Sequence, residues 1–305
     1  MLFPLARRVS LGLLEVMKTQ HRLAVLGLSL FVYTVQPATA QLPSLDAAPW
    51  FGYFAGEQNS RCTLGISSQG EIIFNPSDDA PRATGGRSFR MRPVIEEITP
   101  AGRVVVRELD PETLSTSQPA TNKIEKVVYT GKVKGGATLE VTVEQSRNNF
   151  LIGGRVVDPG PGKNPMRFAL IGRSPRFYAA YGQGNKSKSE EQKAMEEKRE
   201  KAMELKLKDE NLQLKLLDGK RVKQRILEPA DLASAQISGP GVAEIEMDFQ
   251  INRGRKVFLT ASPNSSFSLS NARSQRIYKN GFSLVWRADP EKDTDGKARM
   301  AISTR

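Results

Sequence analysis

Residues 138–144 read Thr-Leu-Glu-Val-Thr-Val-Glu, with apolar and polar side chains in strict alternation. Successive side chains of a strand point to opposite faces, so Leu139, Val141 and Val143 share one face and the polar residues share the other. Two valines and two threonines suit the pleated backbone. This is the signature of a half-buried β-strand.

Similar runs lie on both sides of it. They cover 71–74, 103–109, 124–133, 150–152, 155–157, 167–171, 212–217, 221–227, 243–252, 256–260 and 298–303. Clusters of Gly, Pro, Asn and Asp separate them, as at 158–162 (Asp-Pro-Gly-Pro-Gly). Asp218-Gly219 marks a hairpin turn, and Asn280-Gly281 marks another within 277–286. The glycine pairs at 85–86, 135–136 and 153–154, with Gly160 and Gly162, read as turns and bulges. None has the spacing of a phosphate-binding loop. The expected fold is all-β: antiparallel β-sandwich modules, in two related copies, or a single larger sandwich from both halves, with one charged α-helix between them.

That helix is expected over 186–204, which holds six basic and six acidic residues and no β-branched residue. Beyond it Met203, Leu205 and Leu207 alternate with polar residues, which reads as a return to strand. The two-copy expectation rests on matched text. Gly102 opens a basic strand that ends in Asp110-Pro111-Glu112-Thr113-Leu114; Gly219 opens one that ends in Glu228-Pro229-Ala230-Asp231-Leu232. Further on, Leu139, Val141 and Val143 match Ile245, Met247 and Phe249. The implied organisation is a signal peptide at 1–40, a first β module at 41–185, the charged helix or linker at 186–204, and a second β module at 205–305.

The signal peptide is read from order. Arg7, Arg8, Lys18 and Arg22 precede an apolar run at 23–35, and Pro37-Ala38-Thr39-Ala40 supplies small residues before Gln41. The apolar run is shorter than the roughly 20 residues of a spanning helix, so no transmembrane segment is expected after cleavage. Met17 opens a compact basic region of its own and is a candidate true start. The reading places the protein outside the cytoplasm, in the periplasm or the medium.

Four of the 45 basic residues and one of the 33 acidic residues lie in 1–40, so the net charge of +12 becomes +9 for the remainder. A basic exported protein suits an anionic polysaccharide, with a protein partner as the other expectation; nucleic acid is disfavoured. The chain's one histidine, His21, leaves with the signal peptide, and Cys62 is its one cysteine. Histidine-activated nucleophiles, imidazole or thiolate metal sites and intramolecular disulfides are thereby removed. No cofactor or metal is expected. The 291–296 stretch starts like a calcium loop, but Ile302 stands where the bidentate Glu is required.

Arginines beside aromatics suggest an anionic-ligand patch from Arg167, Arg173, Arg176, Tyr178, Arg273, Arg276 and Tyr278. Other basic clusters are Arg82, Arg87, Arg90 and Arg92, and Arg253, Arg255 and Lys256. Paired carboxylates are the enzymatic route left open, with Glu96, Glu97, Glu140, Glu144, Glu244 and Glu246 as candidates. The leading expectation is a non-enzymatic binding or structural protein of a bacterial envelope, contacting an anionic polymer or a protein. The alternatives are a carboxylate-dependent carbohydrate-active enzyme, and an envelope-assembly subunit that docks through the helix or an edge strand.

Overall fold

The alternation at 138–144 sets the inner face of a strand, Thr138–Ser146, whose Leu139, Val141 and Val143 are fully buried. The structure, a computed structural model, describes residues 41–76, 88–174, 189–249 and 255–305. Its strands, in chain order, begin with β1 (Tyr53–Gln58), β2 (Thr63–Ser67), β3 (Ile72–Asn75), β4 (Phe89–Ile98) and β5 (Val104–Glu108). Next come β6 (Lys126–Lys132), β7 (Thr138–Ser146), β8 (Asn149–Asp158) and β9 (Met166–Arg173). After the long helix α1 (Glu190–Lys206) follow β10 (Asn211–Leu216), β11 (Arg221–Arg225), the short helix α2 (Ala235–Ser238), β12 (Val242–Asp248), β13 (Lys256–Ala261) and β14 (Ser265–Ser270). A helical turn α3 (Ile277–Asn280), β15 (Ser283–Ala288) and β16 (Met300–Thr304) complete the chain.

All named ladders are antiparallel. The path runs β1-β2-β3-β4-β9-β15-β14-β12-β13-β16-β8-β7-β6, with β5 attached to β4 and the β10–β11 hairpin attached to β12. The two ends of this path meet through the segment after β5. Ser115 bridges Thr130 of β6, and Thr121 bridges Ala55 of β1. The sheet therefore curls into a barrel-like sandwich around one continuous core that runs from Leu42 to Ile302. Strands from before and after α1 interleave along the path, so the sequence blocks 41–185 and 205–305 share one sheet. These short bridges cover the edges of β1 and β6 that an open sheet would leave unpaired, while β5 and β11 each pair on one side.

The two matched stretches adopt the same local structure. Thr99 N–H donates to Arg103 C=O and Leu216 N–H donates to Lys220 C=O, each closing a three-residue hairpin loop. Gly102 and Gly219 end those loops at φ +71° and +86°, the left-handed conformation this turn requires. Leu114 and Leu232, each ending an acidic-Pro corner, are both buried. The copies then diverge in their partners: β4 pairs with β9, while β10 pairs with β12.

Three local expectations are corrected. Gly153-Gly154 is the interior of β8, not a turn. A methyl group on Gly154 would collide with the Glu140 carbonyl oxygen and the Phe168 ring, so these glycines let neighbouring strands approach closely. Gly154→Ala is expected to cost about 1–3 kcal/mol by overpacking, measured by urea unfolding. The hairpin expected at 277–286 is instead α3, closed by Gly281 N–H donating to Ile277 C=O; Asn280-Gly281 ends a helical turn rather than joining two strands. Finally, α1 runs to Lys206. Met203 and Leu207 lie one turn apart and pack inward while Leu205 is 77% exposed, so the apparent period of two was a helical face. Its start is fixed by Ser189, which forms a reciprocal capping box with Gln192.

Candidate functional site

The side chains opposite the core form a polar face across the middle of the sheet. At its centre Glu96 of β4 is 1% exposed. Register places it directly across from Arg167 on β9, whose Nε donates to Glu96 Oε2 at 2.8 Å. Arg287, one strand further on β15, donates its Nε to the same oxygen at 2.7 Å and hydrogen-bonds Ser268 on β14. Four adjacent strands are thus tied by one carboxylate and two guanidinium groups. Burial pushes the Glu96 carboxyl up; hydrogen bonding and charge from Arg287 and Arg167 more than offset it, so the group sits below the ordinary carboxylate range.

Glu97 points to the other face. Asn164 Nδ2 donates to Oε1 at 2.5 Å, and Arg107 donates twice to Oε2, at 2.8 and 2.6 Å. The Asn164 bond and then the Arg107 bond hold this carboxyl low as well. The pattern continues outward: Glu71–Arg90, Glu108–Arg92, Glu140–Arg155, Glu244–Lys215, and Glu246 and Asp248 on Lys256. Of the six carboxylates considered for catalysis, five carry a cationic partner. Glu96 and Glu97 are shifted down, the direction opposite to what a general acid needs, and they lie on opposite faces, so they cannot flank one substrate bond.

The arginine–aromatic patch is distributed over separate places. Arg167 is engaged with Glu96 at one end of β9, and Arg173 ends the same strand. Arg276 donates to Glu204 of α1 at 2.8 Å. Tyr278 is buried, and its hydroxyl donates toward Glu204 at 3.1 Å and Glu200 at 3.0 Å. Together these two side chains latch α1 onto α3. Arg273 falls in a 3-10 turn, Ala272–Ser274. Arg176 and Tyr178 lie outside the described residues, as do residues 1–40, Arg82, Arg87 and Arg253. Arg255 donates to the carbonyls of Ser60 and Arg61. In the loop once compared with a calcium site, Asp293 Oδ1 accepts from Ala298 N–H and Asn264 Nδ2, which makes it a loop brace.

Sequence reading finds β11 as a basic strand but not as a candidate site. Arg221, Lys223 and Arg225 alternate along it, all exposed and all on one face, with Lys220 beside them. Arg225 has one ion pair, with exposed Glu228 at 3.4 Å; Arg221 and Lys223 have no carboxylate partner among the described residues. Alternate strand positions stand about 6.7 Å apart. The signal was present as Arg-x-Lys-x-Arg, but only the structure shows that the strand is an edge.

A cleft of about 230 Å³ opens between the β2–β3 turn and β4, lined by Glu71, Arg92, Val94, Glu108 and Leu109 among others. It is smaller than the roughly 300 Å³ at which ligand pockets usually begin. Cys62 is buried and carries no disulfide; burial pushes its thiol pKa up, so it is a packed residue rather than a nucleophile.

No protein-family model matches the chain, and no curated protein matches its sequence. Among solved structures it is similar to a bacterial glucoamylase complexed with acarbose, at 7% identity and a TM-score of 0.44, over 88% of this chain and 34% of that one. It is also similar to a structural-genomics protein of Synechocystis sp., at 10% identity and a TM-score of 0.40, over 80% of this chain and 92% of that one. The chain thus spans about a third of the glucoamylase and most of the second protein. At TM-scores below 0.5, neither likeness bears on function.

Proposed function

We propose that this is an exported, non-enzymatic binding protein of a bacterial envelope, and that its ligand is an anionic polymer held along the β10–β11 hairpin. The observation that carries the reading is the row Arg221, Lys223 and Arg225. At the centre of the polar face Arg90, Arg92, Arg167 and Arg287 are spent on carboxylates, whereas here exposed positive charges repeat along an edge. An extended polyanion can meet each in turn, at a spacing set by the strand itself. The net charge of +9 outside 1–40 adds long-range attraction. Export rests on the amino-terminal sequence pattern.

The test is a titration of the purified protein with dextran sulfate, lipopolysaccharide and a neutral dextran at low and high salt. The acidic polymers are expected to bind and to be released by salt, while the neutral dextran stays unbound. Salt-insensitive binding of the neutral polymer would instead favour a sugar site and the carbohydrate-active alternative.

A further inference from the structure

The counterpart of the basic edge is an unguarded one. The Thr99–Arg103 bond fixes which β5 residues face β4. Hydrogen-bonded pairs recur at every second position of an antiparallel ladder, so Val105 and Arg107 turn their backbone groups toward β4. Val104, Val106 and Glu108 turn theirs away. The Glu108 carbonyl accepts from Lys134 N–H at 3.0 Å. The outward N–H and C=O of Val104 and Val106 have no backbone partner among the described residues. Both valine side chains are exposed, at 46% and 42%.

The same reasoning on β11, from the Leu216–Lys220 bond, makes Arg221, Lys223 and Arg225 the outward residues. Charged side chains at those positions are the usual guard against strand addition. The two hairpins share loop geometry and opening glycine, yet one carries three cations at the outward positions and the other carries Val, Val and Glu.

We propose that β5 is a strand-addition site for an extended acidic peptide segment of a partner protein. The occupant would pair with Val104 and Val106 and set apolar side chains beside them at alternate positions, with acidic residues at the flanks. Charge selects this occupant over a second copy of the chain. Antiparallel pairing of Val104 with Val106 places residue 103 opposite 107. Two copies would therefore oppose Arg103 to Arg107 at both ends, whereas a Glu-Val-Ser-Val-Glu segment meets both arginines with carboxylates. Arg107 keeps its bond to Glu97 and presents its remaining surface, with the side chain 38% exposed.

The test uses a fluorescein-labelled Gly-Glu-Val-Ser-Val-Glu-Gly peptide and fluorescence anisotropy. Val106→Pro removes an N–H that β4 does not use, and is expected to weaken binding about tenfold or more. Lys223→Pro makes the same change on β11 and is expected to leave affinity within about twofold. A peptide with Lys for both Glu residues is expected to bind about tenfold more weakly at low salt. Should Val106→Pro fail to fold, amide hydrogen exchange of the wild type carries the test: bound peptide slows Val104 and Val106 and leaves Val105 and Arg107 as they were. Binding that ignores Val106→Pro, equal binding of the Lys peptide, or a concentration-dependent dimer abolished by Val106→Pro would each overturn the proposal. Because the site is separate from β11, loss of polymer binding leaves this outcome untouched.

Discussion

Glu96→Gln is expected to destabilise the protein by about 3 kcal/mol at neutral pH, the low end of the range for breaking a buried ion pair. The low end applies because Arg167 and Arg287 retain 22% and 25% of their side-chain exposure and are partly hydrated when their partner is lost. The effect has a defined pH signature. The folded-state pKa of Glu96 lies below its ordinary value, so its stabilisation is fully present above the ordinary carboxylate range, about 4.3, and declines as pH falls through the lower folded value. Urea unfolding of wild type and variant from pH 7 downward should show a constant gap that closes only in acid. A gap that persists unchanged below the folded value would mean that Gln disturbs packing rather than charge.

Trp286→Ala should cost still more, about 4 kcal/mol, while Trp286→Phe should cost far less. The indole is fully buried and meets the Phe168 ring edge-on, with centroids 6.1 Å apart and planes at 69°. It sits on β15, whose neighbours β9 and β14 bring strands from both halves of the chain together. Alanine leaves a cavity that close-packed neighbours cannot refill. Phenylalanine keeps most of the ring contact and removes an indole N–H that finds no acceptor among the described residues. Denaturation midpoints of the two variants separate these effects; equal losses would show that the N–H, and not the ring volume, governs the site.

The sequence was most readable where local patterning and tertiary demand agree. Leu139, Val141 and Val143 alternate inward because the core lies on that side, and Gly102 and Gly219 end loops that need positive φ. It misled where a distant neighbour decided the outcome. Gly153 and Gly154 look like a turn in one dimension, but the carbonyls of Ala298, far away in sequence, and of Glu140, on the neighbouring strand, press on them in three. Asn280-Gly281 has hairpin chemistry, yet Tyr278 N–H reaches the Ile226 carbonyl and the segment closes as a helical turn.

The candidate sites were less readable for the same reason. Glu96 meets Arg167 across 71 residues and Arg287 across 191, and no local signal announces either pairing. Arg167, Arg276 and Tyr278 therefore looked available in sequence while the fold commits each to a carboxylate. The basic alternation on β11 and the valine alternation on β5 were visible as text. That both strands are edges, and which of their backbone groups face outward, follows only from register.

The most direct test of the proposed function is the salt dependence of dextran sulfate binding to wild type and to the Arg221→Ala/Lys223→Ala/Arg225→Ala variant. For the wild type, log affinity should fall steeply and linearly with log salt; the variant should bind more weakly at low salt, with a slope shallower by about one unit per cation removed. Superimposable lines for the two proteins would place the polymer elsewhere and contradict the assignment of the β10–β11 hairpin as its binding site.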